Sequence, residues 1–174
     1  MVRNFVLILA ISLVAITASA QVIPNPALAN LGASTSDKLA LSLPKNGYFR
    51  DEFAAFEFDH PHLIAPKGKR VSIKLNREFQ LEEYKLQTGT KVQIEAESKI
   101  AAAWALQTLS QLCDARIHQA TIHDMPKFGF RCVMIDVARR FHSISTLKQI
   151  VRWCQLGKVR FVQLHLTDDQ NWML

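Results

Sequence analysis

The chain has 174 residues, with 21 Lys+Arg against 15 Asp+Glu and a formal net charge of +6; 49% of it is hydrophobic and 21% is charged. That balance excludes a disordered tail and a disulfide-rich mini-scaffold. The length excludes a complete eight-stranded β/α barrel, which needs about 250 residues.

The amino terminus has the pattern of a secretory signal peptide. Met1-Val2-Arg3-Asn4 carries a positive charge, Phe5 to Ile16 is nearly unbroken apolar sequence, and Ala18 and Ala20 stand in an A-x-A arrangement. The run is too short for a transmembrane anchor, which takes about 20 apolar residues. No cysteine follows the expected cleavage site, so the reading is an exported chain starting at Gln21, without a lipid anchor or a membrane span. The basic residues are scattered except for Lys67-Gly68-Lys69-Arg70, and no aromatics interleave with them. A nucleic-acid partner is therefore not expected.

Gln21 to about Lys45 reads as a linker, with Pro24, Pro26, Pro44, Gly32 and Ser34-Thr35-Ser36. Phe49 to Pro66 shows no clear periodicity. His60-Pro61-His62 has no third ligand near it, and a turn is expected there rather than a metal site.

The pattern sharpens from Val71. Val71-Ser72-Ile73-Lys74-Leu75 alternates with period two, as a half-buried strand does. Tyr84-Lys85-Leu86 and Val92-Gln93-Ile94 alternate as well, and Gly89-Thr90 between them favours a hairpin. Ser98 then caps a helix. Its apolar residues Ala101, Trp104, Ala105, Leu109 and Leu112 step by threes and fours along one face. Trp104 on that face is expected to pack rather than to form a sugar platform. Ile117 to Ile122 reads as a further strand. Strands with one covering helix make a small α+β domain.

Asp124-Met125-Pro126 marks a domain junction. Beyond it the sequence has the form of a βαβ unit. Phe130 to Asp136 is a strand. A helix starts at Ser145 with Leu147, Ile150, Val151 and Cys154 on one face and Gly157 just past its end. Val159 to Leu166 is a second strand, parallel to the first. Such a sheet is expected to be covered on both faces. Cys113, Cys132 and Cys154 match no zinc spacing. An odd number leaves at least one without a partner in the chain, and buried small hydrophobes are expected over a disulfide.

In parallel β/α architectures, functional groups gather where strands end and the following loops begin. Both strand ends here are polar: Asp136-Val137-Ala138-Arg139-Arg140-Phe141-His142 and His165-Leu166-Thr167-Asp168-Asp169-Gln170-Asn171-Trp172. The planar fork of arginine offers fixed donors to sugar hydroxyls, and aspartate accepts from hydroxyls or orients a cation. Two readings stay open on these residues. They form a site for a sugar or another polar ligand, or Arg139 and Asp168 pair only to satisfy a strand terminus.

At these residues the chain resembles glycoside hydrolase family 20, the β-N-acetylhexosaminidases. The resemblance runs through Ile122-His123-Asp124-Met125-Pro126-Lys127-Phe128, Arg131, Asp136-Val137-Ala138-Arg139-Arg140-Phe141 and His165-Leu166-Thr167-Asp168-Asp169-Gln170-Asn171-Trp172. Upstream, Ile94-Glu95-Ala96 and Trp104-Ala105-Leu106-Gln107-Thr108-Leu109 are similar to the end of the family's non-catalytic α+β domain. Cys132 and Arg140 stand where the family usually has Gly and His, and Val159-Arg160-Phe161 replaces a common Lys-x-Asn pattern.

The resemblance implies an α+β accessory domain followed by the first βαβ unit of a truncated TIM (β/α)8 barrel. Residues 1–20 would be the signal peptide, 21–124 the leader and accessory domain, and 125–174 the start of the barrel. The implied reaction removes terminal N-acetylhexosamine from an oligosaccharide or glycan with retention of configuration. The substrate's own acetamido oxygen attacks the anomeric carbon, and no cofactor or metal is needed. Arg139 would bind hydroxyls of the terminal sugar, with His165 and Asp168 supporting the active site. No catalytic residue of the family falls in this chain. Its Asp-Glu pair would lie past Leu174, and Asp51-Glu52 has the wrong location to serve. The chain alone is therefore expected to be inactive. The alternative from another class is a non-catalytic, exported carbohydrate-binding or scaffold protein.

Overall fold

A computed structural model describes residues 22–169. The expected signal peptide and Gln170, Asn171 and Trp172 lie outside the described residues.

The elements in chain order are β1 (Leu28–Leu31), β2 (Leu41–Ser42), α1 (Arg50–Asp59), β3 (Lys69–Leu75), β4 (Tyr84–Thr88), β5 (Val92–Ala96), α2 (Lys99–Asp114), β6 (Ala120–Asp124), β7 (Cys132–Asp136), α3 (Ile144–Leu156) and β8 (Phe161–His165). The first eight elements build a mixed six-stranded sheet in the order β1-β6-β4-β5-β3-β2, with the helices packed against it and each other. The expected hairpin is present as the antiparallel β4–β5 pair, and β3 runs parallel to β5.

Period-two alternation puts Tyr84, Leu86, Val92, Ile94, Ala96 and Ile122 on the face toward α2, where all are buried. Lys85, Gln87, Gln93 and Thr121 point away and are exposed. Ser98 caps α2, its side chain accepting from the Ala101 amide, which holds one of the orphan donors of the first turn. Ala101, Ala105, Leu109 and Leu112 then meet the sheet with no solvent exposure. Full burial of each leucine contributes about 1.5–3 kcal/mol. Trp104 is half-buried beside them and packs, as expected.

The linker reading of 21–45 is overturned. β1 pairs antiparallel with β6, β2 pairs with β3, and Val22, Leu39 and Leu41 enter the core. These strands are short and lack alternation, and the neighbouring edges impose their extended form. The segment without clear periodicity contains α1, which buries Phe53 and Phe56 and leaves Phe58 exposed. His60-Pro61-His62 enters a 3₁₀ turn at Pro61–Leu63. No metal-ligating cluster occurs among the described residues. No helix among them is long and apolar enough to cross a membrane.

After Asp124 the chain forms the β7–α3–β8 unit, with β7 and β8 parallel and Cys132 opposite Phe161. Several boundaries differ from expectation. β6 begins at Ala120 rather than Ile117, and β7 and β8 begin two residues later than the apolar runs. α3 starts at Ile144 because Ser143, not Ser145, accepts from the Thr146 amide. Gly157 closes α3 at φ −77°, and the left-handed residue is the next one, Lys158 at φ 53°.

The expected two-sided cover of this sheet is absent among the described residues. On β8, Phe161, Val162 and Leu164 are exposed, because two strands and one helix cannot enclose both faces. Cys113 and Cys154 are buried, but Cys132 is exposed on β7. Cys132 shares its face with exposed Met134 and Phe161, and that face lacks cover.

Candidate functional site

The carboxyl ends of β7 and β8 lie side by side, with Asp136 opposite His165. Two main-chain bonds strap the loop after β7 across the tip of β8: the amides of Val137 and Ala138 donate to the His165 carbonyl at 3.1 and 3.3 Å. A third contact fixes the turn, the Arg139 amide donating to Asp136 Oδ1 at 3.0 Å. Val137 and Ala138 are buried beneath it.

This strap brings Arg139 to Asp168. Nε donates to Oδ2 at 2.5 Å. The pair is asymmetric: the Asp168 side chain is 9% exposed and that of Arg139 66%. The hydrogen bond to Asp168, the Asp168 charge and the nearby Asp136 charge all raise the Arg139 pKa above its ordinary value. A cation held at a fixed angle with its outer face in solvent can donate to vicinal hydroxyls, while its carboxylate partner is held from behind. Arg139, Asp168 and His165 therefore lie together at the strand tips. His165 acts there through its main-chain carbonyl, and its ring is half-buried.

A second polar cluster, which the sequence did not reveal, lies at the opposite ends of the same strands. Glu82 is 1% exposed and sits in the left-handed region at φ 60°. Its carboxylate accepts from Trp104 Nε1 at 2.7 Å, from Arg160 at 2.9 Å and from Arg131. Beside it, Lys158 Nζ donates to Asp124 Oδ2 at 2.7 Å and to the Tyr84 hydroxyl at 2.8 Å. The Tyr84 hydroxyl also lies 2.7 Å from Thr108 Oγ1. Burial lowers the Lys158 pKa, against the opposing pull of Asp124. Burial and then the Asp124 charge push the Tyr84 phenol well above its ordinary value.

A cleft of about 580 Å³ opens at this junction between Trp104, Asp124, Pro126, Phe128, Arg131 and Lys158. Its buried charged groups are paired with one another, so it reads as a joint between the two sheets rather than as a reaction site. Nothing in the polar turn Gln80-Leu81-Glu82-Glu83 marks Glu82 in the sequence. Its partners are 22 to 78 residues away.

A family-wide sequence profile, "Glycosyl hydrolase family 20, catalytic domain", matches residues 128–174. Together with similar proteins and solved structures, this match supports a fragment of a glycoside hydrolase family 20 protein. Among its relatives, an N,N'-diacetylchitobiase of Vibrio harveyi is 37% identical over 94 residues, 49% of this chain and 10% of that protein. A β-N-acetylhexosaminidase of Cellulomonas fimi is 35% identical over 115 residues, 62% of this chain and 23% of that protein. Among solved structures, the family 20 exo-β-N-acetylglucosaminidase of Vibrio harveyi in complex with N-acetylglucosamine superposes with a TM-score of 0.66 at 26% identity. That likeness covers 86% of this chain and 26% of the other. The chain thus spans about a quarter or less of the length of these relatives.

Proposed function

We propose that this chain is the amino-terminal portion of an exported β-N-acetylhexosaminidase. Met1 to Ala20 directs export. Residues 21–124 form the non-catalytic α+β domain, and 125–174 supply the first βαβ unit of a (β/α)8 catalytic barrel. The whole protein removes terminal N-acetylhexosamine by retaining, substrate-assisted hydrolysis. Within it, Arg139 binds hydroxyls of the terminal sugar, and Asp168 and His165 hold Arg139 and its loop in place.

The observation that carries this reading is the Arg139–Asp168 pair. It stands at the carboxyl ends of two adjacent parallel strands, where β/α barrels place their chemistry, and presents an oriented guanidinium to solvent. The exposed apolar residues of β7 and β8 also support it, since further barrel strands and helices would cover them. The general acid of the mechanism is not among these residues, so the chain alone turns over no substrate.

Titration with N-acetylglucosamine, followed by backbone amide shifts, tests the reading. Weak binding, with a Kd on the order of 1 mM, should perturb Asp136 to Arg139 and His165 to Asp168, and Arg139→Ala should abolish the response. Silence at those amides up to the solubility limit of the sugar, or a response centred elsewhere, refutes it. Release of nitrophenol from a nitrophenyl N-acetylglucosaminide by pure chain would refute the inactivity.

A further inference from the structure

β7 and β8 are fastened at both ends, by different means. At the carboxyl ends the fasteners are the His165 carbonyl and the Arg139–Asp168 pair. At the amino ends, one residue before each strand or next to it, Arg131 and Arg160 converge on the two oxygens of a single carboxylate, Glu82. Arg131 also donates to the carbonyls of Lys158 at 2.9 Å and Phe128 at 2.7 Å. The amides of Arg160 and Phe161 both donate to the Arg131 carbonyl, at 3.1 and 3.0 Å. Side-chain and main-chain bonds thus fix the same two residues relative to each other.

We infer that Glu82, a residue of the six-stranded domain, sets the register of β7 against β8 and thereby positions Arg139 beside Asp168 past the far ends of these strands, each five residues or about 16 Å long. Glu82 is a positioning residue, and it acts through Arg131 and Arg160. A one-residue slip would turn every β8 side chain to the other face. It would also move the His165 carbonyl away from Val137 and Ala138. Packing resists such a slip only weakly, because Phe161, Val162 and Leu164 of β8 are exposed and Ile135 is the one buried residue of β7. At the amino ends the carboxylate fork adds to the main-chain bonds and to the bonds from Arg131 to the Lys158 and Phe128 carbonyls. Glu82 itself is held by Trp104 Nε1 and by the bond from its own amide to Glu97 Oε2 at 3.1 Å. It occupies a left-handed conformation that non-glycine residues rarely adopt. That Arg139 serves a sugar rests on the function proposed above. The coupling of Glu82 to the Arg139–Asp168 pair does not.

The experiment compares the full chain with Glu82→Gln, with Arg160→Lys and with Lys158→Met, by amide hydrogen exchange and by the Nε–H resonance of Arg139. Lys158→Met breaks the neighbouring link without touching the fork. Glu82→Gln should speed exchange at Ile135, Asp136, Leu164 and His165 at least tenfold more than at Leu86 and Ile94. It should also shift or broaden the Arg139 Nε–H signal. Arg160→Lys keeps the charge but loses the fork geometry. It should do the same to a smaller degree, and it keeps the test decisive if Glu82→Gln fails to fold. Lys158→Met should leave the Arg139 signal in place. Uniform acceleration over both sheets, or an unchanged Arg139 signal in a folded Glu82→Gln or Arg160→Lys chain, overturns the inference. Sugar titration of the unmutated chain decides the functional reading separately, since neither exchange nor the Nε–H signal requires a ligand.

Discussion

Replacing Lys158 sets two effects of opposite sign against each other. Its ammonium is buried 2.7 Å from Asp124 Oδ2, with 7% and 12% of the two side chains exposed. At that separation the Coulomb attraction is about 6 kcal/mol for an effective dielectric near 20. Desolvation offsets part of this, so removing one partner of such a pair costs about 3–5 kcal/mol, because the other charge is left buried. Lys158 also holds φ 53°, a conformation that costs a side-chain-bearing residue about 1–2 kcal/mol and glycine almost nothing. Lys158→Met removes the pair and keeps the backbone cost, for a loss of about 3–5 kcal/mol. Lys158→Gly removes both and should lose about 1–2 kcal/mol less. Urea unfolding followed by circular dichroism, with the slope unchanged, measures the three midpoints. A Lys158→Gly chain as stable as the parent would refute the reasoning, since backbone strain would then outweigh the buried pair.

Other outcomes are specific to single residues. Burial, reinforced by the Asp114 charge, pushes the Cys113 thiol from 9.0 up to about 12. The unfolded chain loses that proton first, so the stability is fully present below pH 9 and drains away as pH rises toward 12, by about 4 kcal/mol in total. Cys113→Ala should remove the onset near pH 9 and leave a later loss above pH 10 from Tyr84; an unchanged alkaline profile would contradict the assignment. A Cβ on Gly68 would meet the Leu41 backbone at 2.4 Å, so Gly68→Ala should cost about 1–3 kcal/mol and expose the Lys69 amide, which donates to Ala40, to exchange. Unaltered protection there would show that β2 is not held by this contact. Arg139→Ala should cost no more than about 1 kcal/mol of stability while removing the response to N-acetylglucosamine, because the Arg139 side chain is solvent-facing. A larger loss of stability would instead mark it chiefly as a structural strand terminus.

The sequence is legible wherever one face of an element is buried and the other wet. The β4–β5 hairpin and α2 obey that condition, and Leu86, Ile94, Leu109 and Ser98 announce them. β1 and β2 do not. Leu28-Ala29-Asn30-Leu31 has no alternation and becomes a strand only because β6 offers it a partner. α1 hides for a related reason, with Phe53 and Phe56 buried and Phe58 turned to solvent. The strand tips were readable because charged residues interrupt two apolar runs, which puts Arg139 and Asp168 at comparable depth. Glu82 was not, since its role arises from groups brought together by topology. Cys132 was misjudged because an apolar run predicts cover, and cover depends on neighbours outside the run.

The two ends of β7 and β8 carry different duties. The ion pairs that hold the unit to its neighbour sit where the strands begin, and the groups facing solvent sit where they finish. Substitutions in the outward loops can therefore change what the tips bind while leaving intact the joint on which folding depends. A designer wishing to graft a new specificity onto this scaffold should vary Arg140 to His142 and Asp169, and should leave Glu82, Arg131, Lys158 and Arg160 untouched.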